Sequence, residues 1–217
     1  MSGYPDRPAR VDARNRALRL LFRLGWRTAH RIPQPLVAGV IAGLARLAVR
    51  FPGRHVQTLR RNLALTTGQP VDDHLARAAV RSHLRNVYEM LALPGCPPGE
   101  VLARIETVNE AGMRAAYAST GAVVALPHSG NWDLAGAYAE FTGMPVTTVA
   151  EALAGPEFAA FVAFREGLGM RVLSHRDPAI VGELIADVRA GRLVCLLGDR
   201  DLPGRGVPVQ WLSLIHI

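Results

Sequence analysis

A histidine and an aspartate five positions apart, His128 and Asp133, lie in the segment PHSGNWDLAG at residues 127 to 136. An imidazole that donates from one nitrogen to a carboxylate can take a proton from a hydroxyl with its other nitrogen. Positions five apart on a regular helix are about 140° apart around the axis, so the two side chains meet only if His128 precedes the helix. The segment therefore fits either a base with its orienting acid or a capped polar turn.

No protein nucleophile accompanies this pair in the sequence. Ser129 is adjacent, but it has no G-x-S-x-G surroundings. Cys96 and Cys195 have no CxxC spacing and no sequence-adjacent base, so we interpret them as free thiols in a reducing compartment. The chain also contains no P-loop and no G-x-G-x-x-G motif. A histidine base without a protein nucleophile predicts activation of a substrate hydroxyl or of water.

Short apolar strands alternate with helices in the part of the chain that contains the pair. This alternation predicts an α/β fold with βαβ units around a buried, mainly parallel sheet. The strands are predicted at 121–126, 146–150, 170–173 and 193–198, and the helices at 133–141, 156–169 and 177–191, the last with Asp177 as its cap.

Each predicted strand is followed by polar residues. Open α/β sheets place their sites beyond the carboxyl ends of the strands, so we expect these residues to share one site. They are His128 to Asp133 after the first strand, Glu151 after the second, Ser174, His175 and Arg176 after the third, and Asp199, Arg200 and Asp201 after the fourth.

A helical region precedes the strands. Residues 15–31 form a predicted amphipathic helix with arginines around its apolar face and Trp26 at the membrane interface; a surface helix docked on the domain is the alternative. Further helices are predicted at 35–50, 56–65 and 72–91, and the last ends before a turn, PGCPPGE, at 94–100.

The charge of the chain is concentrated in this helical region. Residues 1–61 carry thirteen arginines and two aspartates, a net charge of +11, whereas the remainder has a net charge of −4. An anionic surface is therefore the expected partner, and nucleic acid is disfavoured because no nucleic-acid-binding motif accompanies the charge. Arg46 interrupts the apolar run at 36–45, which also begins too late for a cleavable signal peptide, so we expect the chain to lie on a membrane rather than cross it.

Several stretches together resemble a known enzyme family. HSGNWD resembles the H-x-x-x-x-D motif of the glycerolipid and lipid A type acyltransferases. The surroundings are most similar to the bacterial phosphatidylinositol mannoside acyltransferase branch, and the similarity runs from about residue 15 to 211. It is carried by LRRNLAL at 59–65, VRSHLRNVYEMLALPG at 80–95, LPHSGNWDLAGAY at 126–138, VAEAL at 149–153, FREGLGM at 164–170 and LLGDRDLPGRGVPV at 196–209.

The resemblance implies roles for individual residues. His128 is expected to be the base and Asp133 its orienter. Substrate contacts are expected from Glu151, Arg165, Asp199, Arg200 and Asp201, with Arg200 near a phosphate. No cofactor or metal is implied, because acyl-CoA is the acyl donor substrate. The implied acceptor is a glycolipid hydroxyl, and the implied location is peripheral, on the cytoplasmic face of the inner membrane.

The similarity also suggests a division of the chain and a departure at its end. We expect a flexible basic arm at 1–14, a membrane-docking helical segment at 15–100 and an acyltransferase core at 101–211. The final residues, WLSLIHI, supply no element that would close the sheet, so we interpret the core as incomplete and 212–217 as a non-native tail.

Three alternatives stay open at this point. A related acyltransferase could use acyl carrier protein or another acceptor, as lipid A and lysophospholipid enzymes do. A metal-assisted hydrolase could use His128, Asp133, His175, Asp199 and Asp201 as ligands, although no H-E-x-x-H motif supports it. A non-catalytic membrane adaptor would use the basic helices alone.

Overall fold

The fold was analysed in a computed structural model. The structure describes Leu20 and residues 24–151, 156–199, 209–211 and 214–216. Most of the first half of the predicted helix at 15–31 lies outside the described residues. So do the predicted site residues Arg200 and Asp201.

Three helices of the amino-terminal region confirm the predictions for this part of the chain. They are α1 at Gln34–Arg50, α2 at Arg54–Thr67 and α3 at Asp73–Ala92. Pro35 lies in the first turn of α1, where its missing N–H leaves no hydrogen bond unmade. Asp72 caps α3 by accepting a hydrogen bond of 2.7 Å from the backbone N–H of Leu75. Local sequence signals thus set where these helices begin.

The helices pack through two sets of contacts. Ala45 and Val49 of α1 form a small apolar core with Ala76 and Val80 of α3. Just before α1, Trp26 is partly buried and stacks on Phe164 at 6.0 Å between ring centroids. The indole thus packs against the protein interior, as in the docked-helix alternative, and a position at a membrane interface stays a prediction.

Two helices follow that the sequence patterns did not predict. The first, α4 at Pro98–Leu102, begins inside the segment expected to be only a turn, with Glu100 in its first turn. The second, α5 at Glu110–Thr120, is rich in Ala, Gly, Ser and Thr and therefore shows little apolar periodicity. It ends at Gly121, whose φ of 76° and close approach to the Val188 carbonyl oxygen exclude a Cβ.

A four-stranded parallel sheet confirms the predicted α/β class. Its strands occur in the spatial order β1-β4-β2-β3. All four strands begin and end within one residue of their predicted bounds. The elements are β1 at Ala122–Leu126, α6 at Trp132–Phe141, β2 at Val146–Ala150, α7 at Pro156–Gly167, β3 at Arg171–Ser174, α8 at Ile180–Arg189 and β4 at Leu193–Leu197.

Two details of this region differ from expectation. Asp177 does not cap α8 directly: it accepts a hydrogen bond of 2.8 Å from Ala179 N–H in a preceding turn, and α8 begins at Ile180. Near the carboxyl end, β5 at Val209–Trp211 pairs antiparallel with β6 at Leu214–His216. The segment predicted to supply no element that closes the main sheet thus contains the strand β6, which pairs with β5 in a separate two-stranded sheet.

The main core lies between the sheet and the helices α6 and α7. Its buried side chains include Ala137, Met144, Val146, Phe164 and Leu193. Strands covered in this way read as continuous apolar runs, which is why their positions could be predicted from the sequence.

A polar network behind the sheet also contributes to stability. The Oδ2 atom of Asp187 accepts hydrogen bonds from Thr147 Oγ1 at 2.8 Å and from Arg171 Nη1 at 2.5 Å. Burial raises the pKa of Asp187, but the hydrogen bonds from Arg171 and Thr147 outweigh that effect and bring it below its ordinary value of 3.8.

This network predicts a specific dependence of stability on pH. We expect Asp187→Asn to lower the free energy of unfolding at neutral pH, with a deficit that shrinks as the pH falls below 3.8. A carboxylate whose pKa is lowered by folding stabilises the protein while ionised and loses that contribution on protonation. Urea unfolding of the wild type and of Asp187→Asn between pH 7 and pH 3 measures this difference in free energy. The control is Glu166→Gln, which changes an exposed acid. A deficit that is independent of pH would contradict the prediction.

Candidate active site

The strand order brings His128 and Asp199 together. β1 and β4 are neighbours, and their register pairs Leu126 with Leu197. Each of the two site residues lies two positions beyond this pair, at the carboxyl edge of the sheet. Among the described residues, His128, Asp199, Glu151 and His175 thus follow four parallel strands of one sheet, and that all four share one site stays a prediction.

Two hydrogen bonds join these residues. The backbone N–H of His128 donates to Asp199 Oδ2 at 2.8 Å, and His128 Nδ1 lies 2.5 Å from Asp199 Oδ1. Partial burial raises the pKa of Asp199, but the hydrogen bonds from the backbone and ring of His128 outweigh it and lower the pKa. An ionised Asp199 accepts a hydrogen bond from Nδ1–H, which leaves Nε2 as the basic nitrogen of the ring.

Asp133 has a different partner from the one that the sequence suggested. It lies in the first turn of α6, is 5% exposed, and its Oδ1 accepts a hydrogen bond of 2.7 Å from Arg165 Nε. Arg165 is 8% exposed, and its guanidinium lies 4.5 Å from the ring centroid of Phe161. A buried carboxylate needs a cation, and Arg165 supplies it. The structure thus pairs His128 with Asp199, and Asp133 with Arg165.

The turn between His128 and α6 is held from outside by α3. Gly130 has a φ of 66°, and Asn131 caps α6 by accepting from Leu134 N–H at 3.0 Å. From α3, Glu89 Oε2 accepts from Asn131 Nδ2 at 3.2 Å, while Asn86 Nδ2 donates to the Gly130 carbonyl at 3.4 Å. The sequence alone did not assign Glu89 or Asn86 to the site, because they precede the turn residues that they contact by 42 and 44 positions. Their only signal was a place in the stretch that carries the resemblance.

Trp132 lies between two cavities beside His128. Its ring meets the imidazole edge to face, with 5.5 Å between centroids. On one side is an apolar cavity of about 340 Å³, within the usual range of ligand pockets. On the other is a polar cleft of about 860 Å³, which His128 also lines.

The apolar cavity runs along one face of the sheet beneath α6. Its walls include alternate residues of three strands and, at the carboxyl edge, the ion pair of Asp133 and Arg165. Cys195 also lines it, and burial raises the pKa of that thiol to about 11, so it is neutral and a poor nucleophile. The strand residues in the walls are Val124, Leu126, Val146, Thr148, Leu193, Cys195 and Leu197.

The metal-dependent alternative finds little support in this arrangement. Among the described residues, no three His, Cys, Asp or Glu side chains converge as a metal-ligand group. Of its proposed ligands, Asp133 is bound by Arg165 and Asp201 lies outside the described residues.

The helices were also compared with the requirements for crossing a bilayer. No single helix in the described chain is both long and apolar enough. Leu24–Arg31 and Gln34–Arg50 satisfy the length and composition together, but they meet at an angle of 118°.

The sequence of the chain is similar to a known family and to known proteins. The model of the bacterial lipid A biosynthesis acyltransferase family matches residues 6–213. A phosphatidylinositol mannoside acyltransferase of Mycolicibacterium smegmatis is 37% identical over 203 residues, which cover 88% of this chain and 65% of that protein. One of Mycobacterium tuberculosis strain CDC 1551 is 36% identical over 205 residues, covering 88% of this chain and 63% of the relative. This chain therefore spans a little under two thirds of the length of these relatives, and it belongs to the bacterial lipid A biosynthesis acyltransferase family.

Proposed function

We propose that this chain carries the catalytic centre of an acyltransferase that moves a long-chain acyl group from acyl-CoA to a hydroxyl of a phosphatidylinositol mannoside. The observation that carries the proposal is the pair of His128 and Asp199, whose imidazole contacts Trp132 in the wall of an apolar cavity. Such a pair provides a base for a hydroxyl, and such a cavity suits an acyl chain. The names of the relatives support the acceptor.

The proposed reaction begins at Nε2 of His128. This atom takes the proton of the acceptor hydroxyl as the hydroxyl oxygen attacks the thioester carbonyl carbon. The tetrahedral intermediate then collapses, its C–S bond breaks, and the imidazolium returns the proton to the thiolate. Asp199 orients the ring and stabilises the imidazolium, as the acid of a triad does. Glu151, Arg165, Arg200 and Asp201 remain predicted substrate contacts.

A direct assay tests this function. The protein is incubated with palmitoyl-CoA and vesicles that contain phosphatidylinositol mannosides, and the lipids are read by mass spectrometry. We expect a product heavier by one palmitoyl group, and its loss in His128→Ala. Product formation at an unchanged rate in that variant would refute the mechanism. Product formed only with palmitoyl-acyl carrier protein would mean that acyl carrier protein, and not CoA, delivers the acyl group.

The apolar cavity makes a second prediction about the acyl donor. Gly136 faces it from α6, and a Cβ there would lie 2.6 Å from Cε of Met170, which also lines the cavity. We therefore expect Gly136→Leu to lower kcat/KM for palmitoyl-CoA by about tenfold or more, because lost burial of a few methylene groups weakens binding by that factor. Activity with octanoyl-CoA should change much less.

The matched control for this variant is Gly182→Leu. Gly182 is also a helical glycine, and a Cβ there would meet no atom within 4 Å. Rates with both donors are measured by thiol release. An equal loss for the short and long donors in Gly136→Leu would mean that the cavity does not hold the acyl chain.

We further propose that the protein binds peripherally to the cytoplasmic face of the inner membrane through α1. Four apolar side chains are exposed along one face of this helix, at intervals of three or four residues, and Phe51, which follows its last residue, is exposed too. Arg46 and Arg50 are exposed on the same helix, which contains no acidic residue. An apolar face beside cations suits the interface of an anionic bilayer. The five residues, the α1 stripe, are Leu36, Val40, Leu44, Leu47 and Phe51.

The α1 stripe predicts the effect of polar substitutions on membrane binding. We expect Leu44→Gln with Leu47→Gln to weaken binding to anionic phospholipid vesicles at least about tenfold. The double variant lacks two leucine side chains that transfer from water into the bilayer on binding. The matched control is Val181→Gln with Ile185→Gln on α8, where both residues are exposed too. Vesicle sedimentation measures the affinities. Equal loss in both double variants would contradict docking through α1.

A further inference from the structure

The polar cleft beside His128 differs in chemistry from the apolar cavity. Its walls come from α3, from Arg104 and from the motif turn at Gly130 and Asn131. Arg85 and Arg104 bring positive charge, while His83 and Asn86 add polar groups. Glu89 is the acidic residue in its wall.

The carboxylate of Glu89 is already engaged. Its Oε1 accepts from Arg85 Nε at 2.7 Å, and its Oε2 accepts from Asn131 Nδ2. Arg85 nevertheless keeps 76% of its side chain exposed, so its guanidinium is accessible to a ligand. Arg104 contacts Glu100 more loosely, at 3.5 Å. The cleft therefore offers two cations whose protein partners do not enclose them.

The cleft continues along α3 into a second cavity. This cavity, of about 600 Å³, lies between α1 and α3 and shares Ser82, Arg85 and Glu89 with the first. It adds Arg81, a third cation on the same side of α3. The walls of these two neighbouring cavities thus carry three arginines, Arg81, Arg85 and Arg104.

We propose that Arg85 and Arg104 bind a phosphate ester group of a substrate whose reacting atom lies at His128. Guanidinium groups bind phosphate through paired, charge-assisted hydrogen bonds, and a cleft lined by like charges concentrates anions. The proposal rests on the proposed function for its two sources of phosphate. One is the phosphates of the CoA donor, and the other is the phosphodiester of the glycolipid acceptor.

A binding experiment tests the site without requiring catalysis. The whole chain is titrated calorimetrically with adenosine 3′,5′-bisphosphate and, separately, with glycerophosphoinositol. We expect one of these probes to bind, and to bind about tenfold or more weakly in Arg85→Gln with Arg104→Gln. The control is Arg189→Gln, an exposed arginine of α8 outside the cleft. If neither probe binds, or if the double variant binds both like the control, the proposal is wrong.

Kinetics then identify the source of the phosphate. If the donor supplies it, the double variant raises KM for palmitoyl-CoA but not for palmitoyl-pantetheine, which carries no phosphate. If the acceptor supplies it, KM for the phosphatidylinositol mannoside rises with either donor. KM values unchanged from those of Arg189→Gln would overturn the proposal even where acyl transfer occurs. Absence of acyl transfer in the wild type would instead refute the proposed function and leave the binding result to decide the site.

Discussion

Replacing Asp199 by asparagine is expected to lower kcat for acyl transfer by up to about 10⁴-fold, the loss that follows when the acid of a catalytic triad is replaced by its amide. The amide removes the negative charge beside His128 Nδ1 and can donate to that nitrogen, which favours the wrong tautomer. Asp199 is 42% exposed in its side chain, so the melting temperature should change little. Rates are measured by mass spectrometry of the lipid product, and stability by thermal unfolding.

The outcome separates two assignments of the orienting acid. The spacing in the sequence suggested Asp133, whereas the geometry favours Asp199. Glu166→Gln, an exposed acid of α7, is the control for loss of a negative charge. Normal activity in Asp199→Asn would show that Asp199 does not orient His128, and Asp133 would then be the candidate for that role.

Replacing Arg165 by methionine is expected to destabilise the protein by about 3–5 kcal/mol, the usual cost of breaking a buried ion pair from one side. The substitution leaves Asp133 buried without its cation. The additional change Asp133→Asn should recover part of the loss, because it removes the unpaired charge. Urea unfolding of the single and double variants measures both effects.

A surface ion pair provides the comparison for Arg165. Glu100 forms such a pair with Arg104, and 59% of its side chain is exposed. Glu100→Gln should cost less than about 1 kcal/mol, as exposed pairs do. A similarly small cost for Arg165→Met would contradict a stabilising role for the buried ion pair with Asp133. Because Arg165 and Asp133 also line the apolar cavity, activity is to be compared only among variants that remain folded at the assay temperature.

The local elements could be read from the sequence because each carries its own signal. The four strands are four or five residues long and mostly apolar or β-branched, and α3 begins at an aspartate cap. Helix α5 could not be predicted because its small residues give no apolar stripe. Helix α4 could not be predicted because its prolines also suit a turn. The contact of Trp26 with Phe164 could not be predicted, because an aromatic residue on a basic helix suits both a membrane interface and a protein core.

Residue order along the chain therefore established the α/β class, the polar carboxyl edge of the sheet and His128 as the candidate base. It could not establish the neighbour of β1, since strand pairing depends on contacts between segments about seventy residues apart. Folding inserts β4 between β1 and β2, which places Asp199 at His128 and leaves Asp133 to Arg165. The same long-range packing brings Glu89 and Asn86 of α3 to the motif turn and opens the two cavities on either side of Trp132.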